Sequence, residues 1–432
     1  MNISRRELCR GVNLNLIYTD KFKKDFLSVN FILPHKKEFA AYSSVLPDVM
    51  TRACMSYPNL RAIERELEEC YGAQLSAYSV VKGESKIISF SMESLSDSYS
   101  FGDDVVFSRS FKLLSEVIFF PFVEDGALCR EFVDSEKAKL IASVRRRRNS
   151  KRHYALDKCK GIMCEDEPFG IPSYGSEADI ESVQADSLYS FYQFMINEST
   201  IEIFYVGNKD DDKISIISDA FSDIPRKEGG YQTYPSKKYV DKPKYTVEEA
   251  DYKQSVLIMG FRTGVLACDR DKYAFSLFNS IFGAGVNSKL FKIVREKMHL
   301  CYYASCSPDM SKGVAFVSSG IDASNEEITK KAVLDQLDAT MRGDFTDTDL
   351  EDCKKAIQNA YKELYDSPDN LCGWYLGRVI FGNFESAQNA LENIMKVTAD
   401  EVVEVAKKMQ LDTVFMLKGV SKESVDISED CQ

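Results

Sequence analysis

Apolar and polar residues alternate at the start of the chain. Val12, Leu14, Leu16 and Tyr18 fall at every second position, as do Leu27, Val29, Phe31 and Leu33, with a charged stretch at 20–25 between the two sets. Successive side chains of a strand point to opposite faces, so the pattern predicts two strands joined as an opening hairpin. The period then lengthens. Val45, Leu46, Val49, Met50 and Ala53 recur at helical spacing and predict a helix with Ser43 or Ser44 as N-cap and Pro47 in its first turn, where a missing N–H costs nothing. A second helix is expected from about Pro58, burying Leu60, Ile63 and Leu67 and stopping before Gly72. Residues 87–92 and 201–206 read as strands, and a long helical pattern from about Glu131 runs out in four arginines at 145–148.

The stretch 282–303 reads as a glycine turn, a short helix and a strand. Leu290, Ile293 and Val294 face inward at helical spacing, and Lys297 falls in register with them. Gly313 and the apolar run from Val314 predict that a second, antiparallel strand follows. Arg295 near the end of the helix and Tyr302 in the strand are its two most suggestive polar side chains.

The second half of the chain echoes the first. Leu60, Ile63, Arg65, Glu66 and Gly83 recur 230 positions later as Leu290, Ile293, Arg295, Glu296 and Gly313. Ile180, Val183, Ala185, Asp186 and Met195 recur 214 positions on as Ile394, Val397, Ala399, Asp400 and Met409. Each offset holds across a whole element, which predicts a duplicated unit, each copy a mostly antiparallel sheet covered by helices. Length agrees, because 432 residues exceed one ordinary core. The stretch 224–244, with Pro225, Gly229, Gly230, Pro235 and Pro243 among charges, is the expected linker.

Composition narrows the function classes. A net charge of -12 argues against general affinity for nucleic acid or anionic membrane. Twelve cysteines without a CxxC pair fit a reducing compartment, and the absence of any long apolar run or leader pattern predicts a cytoplasmic protein with no membrane span. The arginines at 145–148 read either as a contact for RNA or an acidic peptide, or as a solvated helix end whose cations favour the C-terminal dipole. Gly283-Ala-Gly285 has neither the ending of a phosphate loop nor the dinucleotide pattern.

Phe282-Gly-Ala-Gly-Val-Asn-Ser-Lys-Leu-Phe291, with Val294-Arg-Glu-Lys297 and Leu300-Cys-Tyr302, resembles the second-domain signature of the M16 zinc peptidases, the family of insulinase, pitrilysin and the mitochondrial processing peptidase. Tyr71-Gly-Ala73, Tyr174-Gly-Ser-Glu177, Asp366-Ser367 and Leu417-Lys-Gly419 resemble its bacterial YmfF-like branch. The resemblance implies an α+β fold of two homologous domains, 1–223 and 245–432 on either side of the linker, arranged as half of a clamshell. Active members carry His-x-x-Glu-His on the first helix and a later glutamate, because two imidazoles one turn apart bind zinc and the glutamate between them deprotonates the bound water. Here that place holds Val45-Leu-Pro-Asp-Val49, and Glu136 stands where the third ligand is expected. Asp48 at the base position has no metal to work with. Glu136 taken alone reads as a solvated helix carboxylate. The three histidines, His35, His153 and His299, are too scattered to replace the motif, although an unrelated metal site built from them is conceivable.

Arg295 and Tyr302 match a family arginine and tyrosine that face the zinc site and contact the substrate backbone. A guanidinium fork and a phenol O–H both suit oxyanion charge at a scissile carbonyl. The bland alternative pairs Arg295 with a nearby carboxylate and packs Tyr302 on a sheet face. Tyr303, on the opposite face of a regular strand, is the control. The resemblance therefore implies a catalytically silent subunit without metal or cofactor, paired with a zinc-bearing homologue and holding a peptide or unfolded polypeptide docked as an added strand on a sheet edge. Two other readings remain open. One is a scaffold or binding protein that supports maturation of another protein, such as elongation factor P modification, and the other is an autonomous metalloenzyme.

Overall fold

The computed structural model describes residues 2–102, 104–222, 224 and 240–420, so most of the expected linker, 225–239, lies outside the described residues. The first half of the chain runs β1 (Asn2–Cys9), β2 (Val12–Tyr18), β3 (Lys24–Pro34), α1 (Lys37–Met50), α2 (Leu60–Glu69), β4 (Gln74–Lys82), β5 (Ser85–Leu95), α3 (Val106–Phe119), a small hairpin β6 (Val123–Glu124) and β7 (Ala127–Leu128), α4 (Arg130–Asn149), α5 (Lys151–Met163), α6 (Glu177–Ser182), α7 (Ala185–Glu198), β8 (Thr200–Gly207) and α8 (Asp211–Ser222). The second half runs β9 (Lys244–Ala250), β10 (Ser255–Arg262), α9 (Lys272–Phe282), a short helix Leu290–Lys297, β11 (Cys301–Asp309), β12 (Val314–Ile321), α10 (Glu326–Met341), α11 (Asp347–Leu364), α12 (Pro368–Ile380), α13 (Ala387–Met395), α14 (Ala399–Ala406) and β13 (Gln410–Gly419).

The alternating strands exist, but β2 and β3 do not form a hairpin. β8 lies between them, parallel to β2 and antiparallel to β3. Every residue of β8 is buried, and a run of that kind is satisfied only in the centre of a sheet covered on both faces. A late strand thus displaces the local pairing. The first helix also starts earlier than expected, with Lys36 rather than a serine at its N-cap. Pro47 is tolerated inside it, and the Ser43 hydroxyl bonds back to the Phe39 carbonyl at 2.6 Å instead of capping. The second helix begins at Leu60 behind an Asn59 cap and buries Ile63, while Leu60 itself is exposed.

The duplication extends to topology. The first sheet has the order β1-β2-β8-β3-β5-β4 and the second the order β11-β12-β10-β13-β9. Leaving out β1, the two orders superpose strand for strand, including one parallel pair in each, β2 with β8 and β9 with β13. Gly83 and Gly313 both turn the edge hairpins with positive φ, at 60° and 70°.

Two compact units contain these sheets, and neither is a single stretch of sequence. One comprises 1–146, 166–235 and 360–387, and the other 147–165, 236–359 and 388–432. In the first unit α1, α3 and α7 cover one sheet face. The other face, formed by Ile17, Phe26, Ile32, Ile87, Phe204 and Val206, packs against α12 from the second half of the chain. In the second unit α5, from the first half, packs on β10, β12 and β13. Its Met163 and Cys159 fill the space over Gly260, and the buried Arg262 joins Asp412 at 2.9 Å to the Met163 carbonyl at 3.0 Å. Each half of the sequence thus supplies one helix to the sheet built by the other.

Candidate functional site

The stretch 282–303 lies within the second unit. Gly283 ends α9, and its carbonyl accepts from the Cys306 N–H of β11 at 2.9 Å. The helix Leu290–Lys297 is wound in π fashion, as in the Met298 N–H to Ile293 carbonyl bond of 2.9 Å, and it buries Leu290 and Val294. Lys297 is exposed and Ile293 half-buried, so the expected inward face is narrower than simple helical spacing suggests. His299 then takes a left-handed conformation with φ of 54°, which lets the Leu300 N–H close on the Val294 carbonyl at 3.2 Å.

β11 starts with an irregularity. Cys301 faces Ile321 and Tyr303 faces Gly320, leaving Tyr302 as the extra residue of a bulge at the sheet edge. A bulge re-aims its side chain, and Tyr302 is 60% exposed. Tyr303 turns the other way, its ring against Gly320 and 4.9 Å from the Arg152 guanidinium.

Arg295 and Tyr302 line the same open recess of about 370 Å³, together with Glu296, His299, Leu300, Cys301 and Asp322. The Arg295 guanidinium stacks 4.5 Å from the Phe291 ring, and its Nε lies 3.5 Å from a Glu296 carboxylate oxygen. That contact is long and half-exposed, and it leaves the terminal nitrogens of the fork outside the pair. The Tyr302 hydroxyl donates to Asp322 Oδ1 at 3.2 Å. The negative charge of Asp322, and then this hydrogen bond, push the phenol above its ordinary range. Burial pushes the neighbouring Cys301 thiol up to about 11, against the pull of Arg295. Asp322 is the residue that sequence reasoning missed. A partial signal was present, since an unbroken register about Gly313 would set Asp322 opposite Cys301, one residue from Tyr302, and the bulge then shifts Cys301 onto Ile321.

The place of the family's metal motif lies in the first unit. Val45 and Val49 are buried in the core under α1, at 1% and 3% exposure. Glu136 is not the solvated carboxylate expected of it. It is 5% exposed, with Arg52 Nη1 at 3.4 Å and Lys139 Nζ at 2.8 Å. Arg52 follows α1 directly and lies over the Phe132 ring, so the inward face of α4 carries a carboxylate matched by organic cations. Partial desolvation pushes the Asp48 carboxyl up, and then the charge of Glu136 does so too, against Lys139. These residues do not fit zinc, having two apolar side chains where imidazoles would be needed and one carboxylate already neutralised. Among the described residues no group of three histidine, cysteine or acidic side chains is placed to hold a metal. His35 is buried with Nε2 3.0 Å from the Ile171 carbonyl, His153 bonds Ser150 at 2.8 Å, and His299 lines the recess.

Removing Arg52 takes one of two cations from the buried Glu136 and leaves its charge to the more exposed Lys139. Arg52→Ala is expected to lower the unfolding free energy by about 2 kcal/mol in urea denaturation, and Glu136→Gln in the same chain to recover part of it.

Lys86 of β5 touches the same helix. It is 1% exposed and donates to Ser44 Oγ at 3.1 Å and the Ser173 carbonyl at 2.7 Å. Burial pulls its pKa from 10.5 to about 7. The folded chain then holds fewer protons than the unfolded chain between these values, so the burden is full below pH 7 and is relieved as pH rises towards 10.5. From pH 7 to 9 the wild type should gain about 2 kcal/mol of stability relative to Lys86→Met, compared by denaturation at each pH. A difference between the two proteins that stays flat across this window contradicts the assignment.

The arginines at 145–148 include two with acidic partners, Arg145 with Glu177 at 3.0 Å and Arg147 with Asp157 at 2.9 Å. No helix among the described residues is long and apolar enough to cross a membrane.

Residues 182–357 match the family model described as "Peptidase M16 inactive domain". The chain is 30% identical over 410 residues to a Bacillus subtilis protein described as a probable inactive metalloprotease, YmfF, covering 95% of this chain and 96% of that one. A conserved protein from Enterococcus faecalis has a crystal structure that superposes with a TM-score of 0.91 at 28% identity over 98% of this chain and all of that one. A chain of Candida albicans complex III shares the fold, with a TM-score of 0.72 at 13% identity over 97% of this chain and 96% of that one.

Proposed function

Because the chain belongs to the M16 peptidase family, in its inactive YmfF-like branch, we propose that it is a non-catalytic subunit that partners a zinc-bearing homologue and contributes peptide contacts to a heterodimeric metallopeptidase. The observation that carries this reading is a contrast between the two repeats. Where the family holds zinc, the first unit has buried valines and a carboxylate paired with Arg52 and Lys139. Where the family contacts substrate, the second unit keeps Arg295 and Tyr302 on one solvent-open recess, with Tyr302 turned outward by a bulge. A core needs neither an exposed bulged tyrosine nor a guanidinium stacked at the rim of a recess.

The guanidinium is suited to a carbonyl oxygen that gains negative charge as zinc-bound water attacks it. The zinc and the water belong to the partner. The peptide docks as an added strand on a sheet edge. The proposed compartment is the cytoplasm, in keeping with cysteines that are all free thiols among the described residues.

The second reading is a scaffold or binding protein without a proteolytic role, supporting maturation of another protein. The shared fold with a chain of complex III favours it. Purification of the tagged chain from its native host, followed by mass spectrometry, separates the two. The peptidase reading expects a stoichiometric homologue with intact His-x-x-Glu-His, and a stable complex with an unrelated protein and no such homologue supports the scaffold.

A further inference from the structure

A phenol has one hydrogen, and Tyr302 gives it to Asp322. What the hydroxyl then presents to the recess is an oxygen with lone pairs, made more basic by the carboxylate behind it. Arg295, across the same recess, offers only donors. A peptide group carries one acceptor, the carbonyl oxygen, and one donor, the amide N–H. The two protein groups are thus complementary to a main chain in opposite senses. The left-handed His299 and the bulge at Tyr302 hold the turn that brings these side chains to one recess, and strain of this kind concentrates where a site must be held.

We propose that Asp322 is a positioning residue that holds Tyr302 as a hydrogen-bond acceptor, so that the recess reads a peptide backbone with Arg295 on a carbonyl oxygen and Tyr302 on an amide N–H. This rests on the peptide-contact reading above and changes its chemistry. The phenol becomes a ground-state reader of the main chain, and the oxyanion is left to Arg295. Side-chain sequence matters little at this position, with one exception. A residue without an N–H, proline, is rejected there.

The test has two arms. On the chain alone, tyrosine labelled with 13C at the ring carbon bearing the hydroxyl is titrated by NMR, with Tyr302 assigned by its loss in Tyr302→Phe. Arg295, Glu296, His299 and the Cys301 thiol are the other charged or titratable groups on the recess beside Tyr302 and Asp322. Tyr302 is expected to titrate above the ordinary range, and Asp322→Ala to bring it back down. An unchanged titration in Asp322→Ala overturns the assignment.

On the purified heterodimer, a cleaved unstructured 15-residue peptide is compared with versions N-methylated at one amide at a time. The expected results are a KM about fivefold higher in Asp322→Ala with kcat unchanged, rescue of most of that loss by Asp322→Asn, whose amide oxygen still accepts, and one N-methyl position that costs the wild type about fivefold but costs Tyr302→Phe nothing. A kcat that rises in Asp322→Ala shows that freeing the phenol hydrogen helps the reaction, and a flat N-methyl series shows that no amide is read. Either result overturns the proposal. Because the resonance is read on the chain alone and the kinetics on the pair, failure of the Tyr302 assignment and failure of the peptide-contact reading appear in different arms.

Discussion

Arg295→Ala is expected to lower kcat/KM of the heterodimer about 100-fold while leaving its zinc content and assembly unchanged. The loss falls mainly in kcat, because a guanidinium beside a carbonyl gains most when that oxygen becomes negative. Arg295→Lys recovers only part of it, since an ammonium keeps the charge but not the planar fork that Phe291 supports from below. The variant is a clean one. Arg295 is half-exposed and its ion pair among the described residues, with the exposed Glu296, is long, so its removal leaves no buried charge behind there. Activity that survives Arg295→Ala unchanged contradicts the role given to the recess.

The second large effect is on folding. Gly283→Ala is expected to lower the stability of the chain by about 3 kcal/mol or more. A Cβ at this position would lie 2.3 Å from Cys306 Cβ and 2.8 Å from its main-chain nitrogen, and neither atom is the end of a flexible side chain. The end of α9 must therefore move away from β11, breaking the Gly283 carbonyl to Cys306 N–H bond that anchors the edge strand carrying Tyr302. Gly285, two residues on, is the comparison. It has φ of 80° and open space around it, so Gly285→Ala costs only the backbone conformation, about 1 kcal/mol. Denaturation of both variants side by side reads the difference.

Much of this arrangement was legible in the sequence. Strands and helices with one buried face announce themselves by period, and the paired offsets at Leu60/Leu290 and Ile180/Ile394 fall on matching helices, α2 with Leu290–Lys297 and α6 with α13, beside sheets that share one strand order apart from β1. What escaped is long-range. Nothing local says that β8 inserts between β2 and β3, because the pairing is decided by burial of β8 on both faces. The exchange of α5 and α12 between the two sheets is hidden for the same reason, since an apolar helix face does not name the sheet that it covers. At the site, spacing brought Arg295 and Tyr302 to attention, but the bulge that turns Tyr302 outward and the Asp322 that takes its hydrogen depend on pairing with β12. Glu136 was misread because a lone carboxylate on a helix gives no hint of the Arg52 that follows a different helix.

The central claim is that this chain contributes to peptide cleavage without performing it. The direct measurement is hydrolysis of an unstructured peptide by the chain alone, by the zinc-bearing homologue alone and by the two mixed, each with zinc supplied. Cleavage is expected only in the mixture, saturating at one chain per homologue. Cleavage by this chain alone, or by the homologue alone at the rate of the mixture, contradicts it.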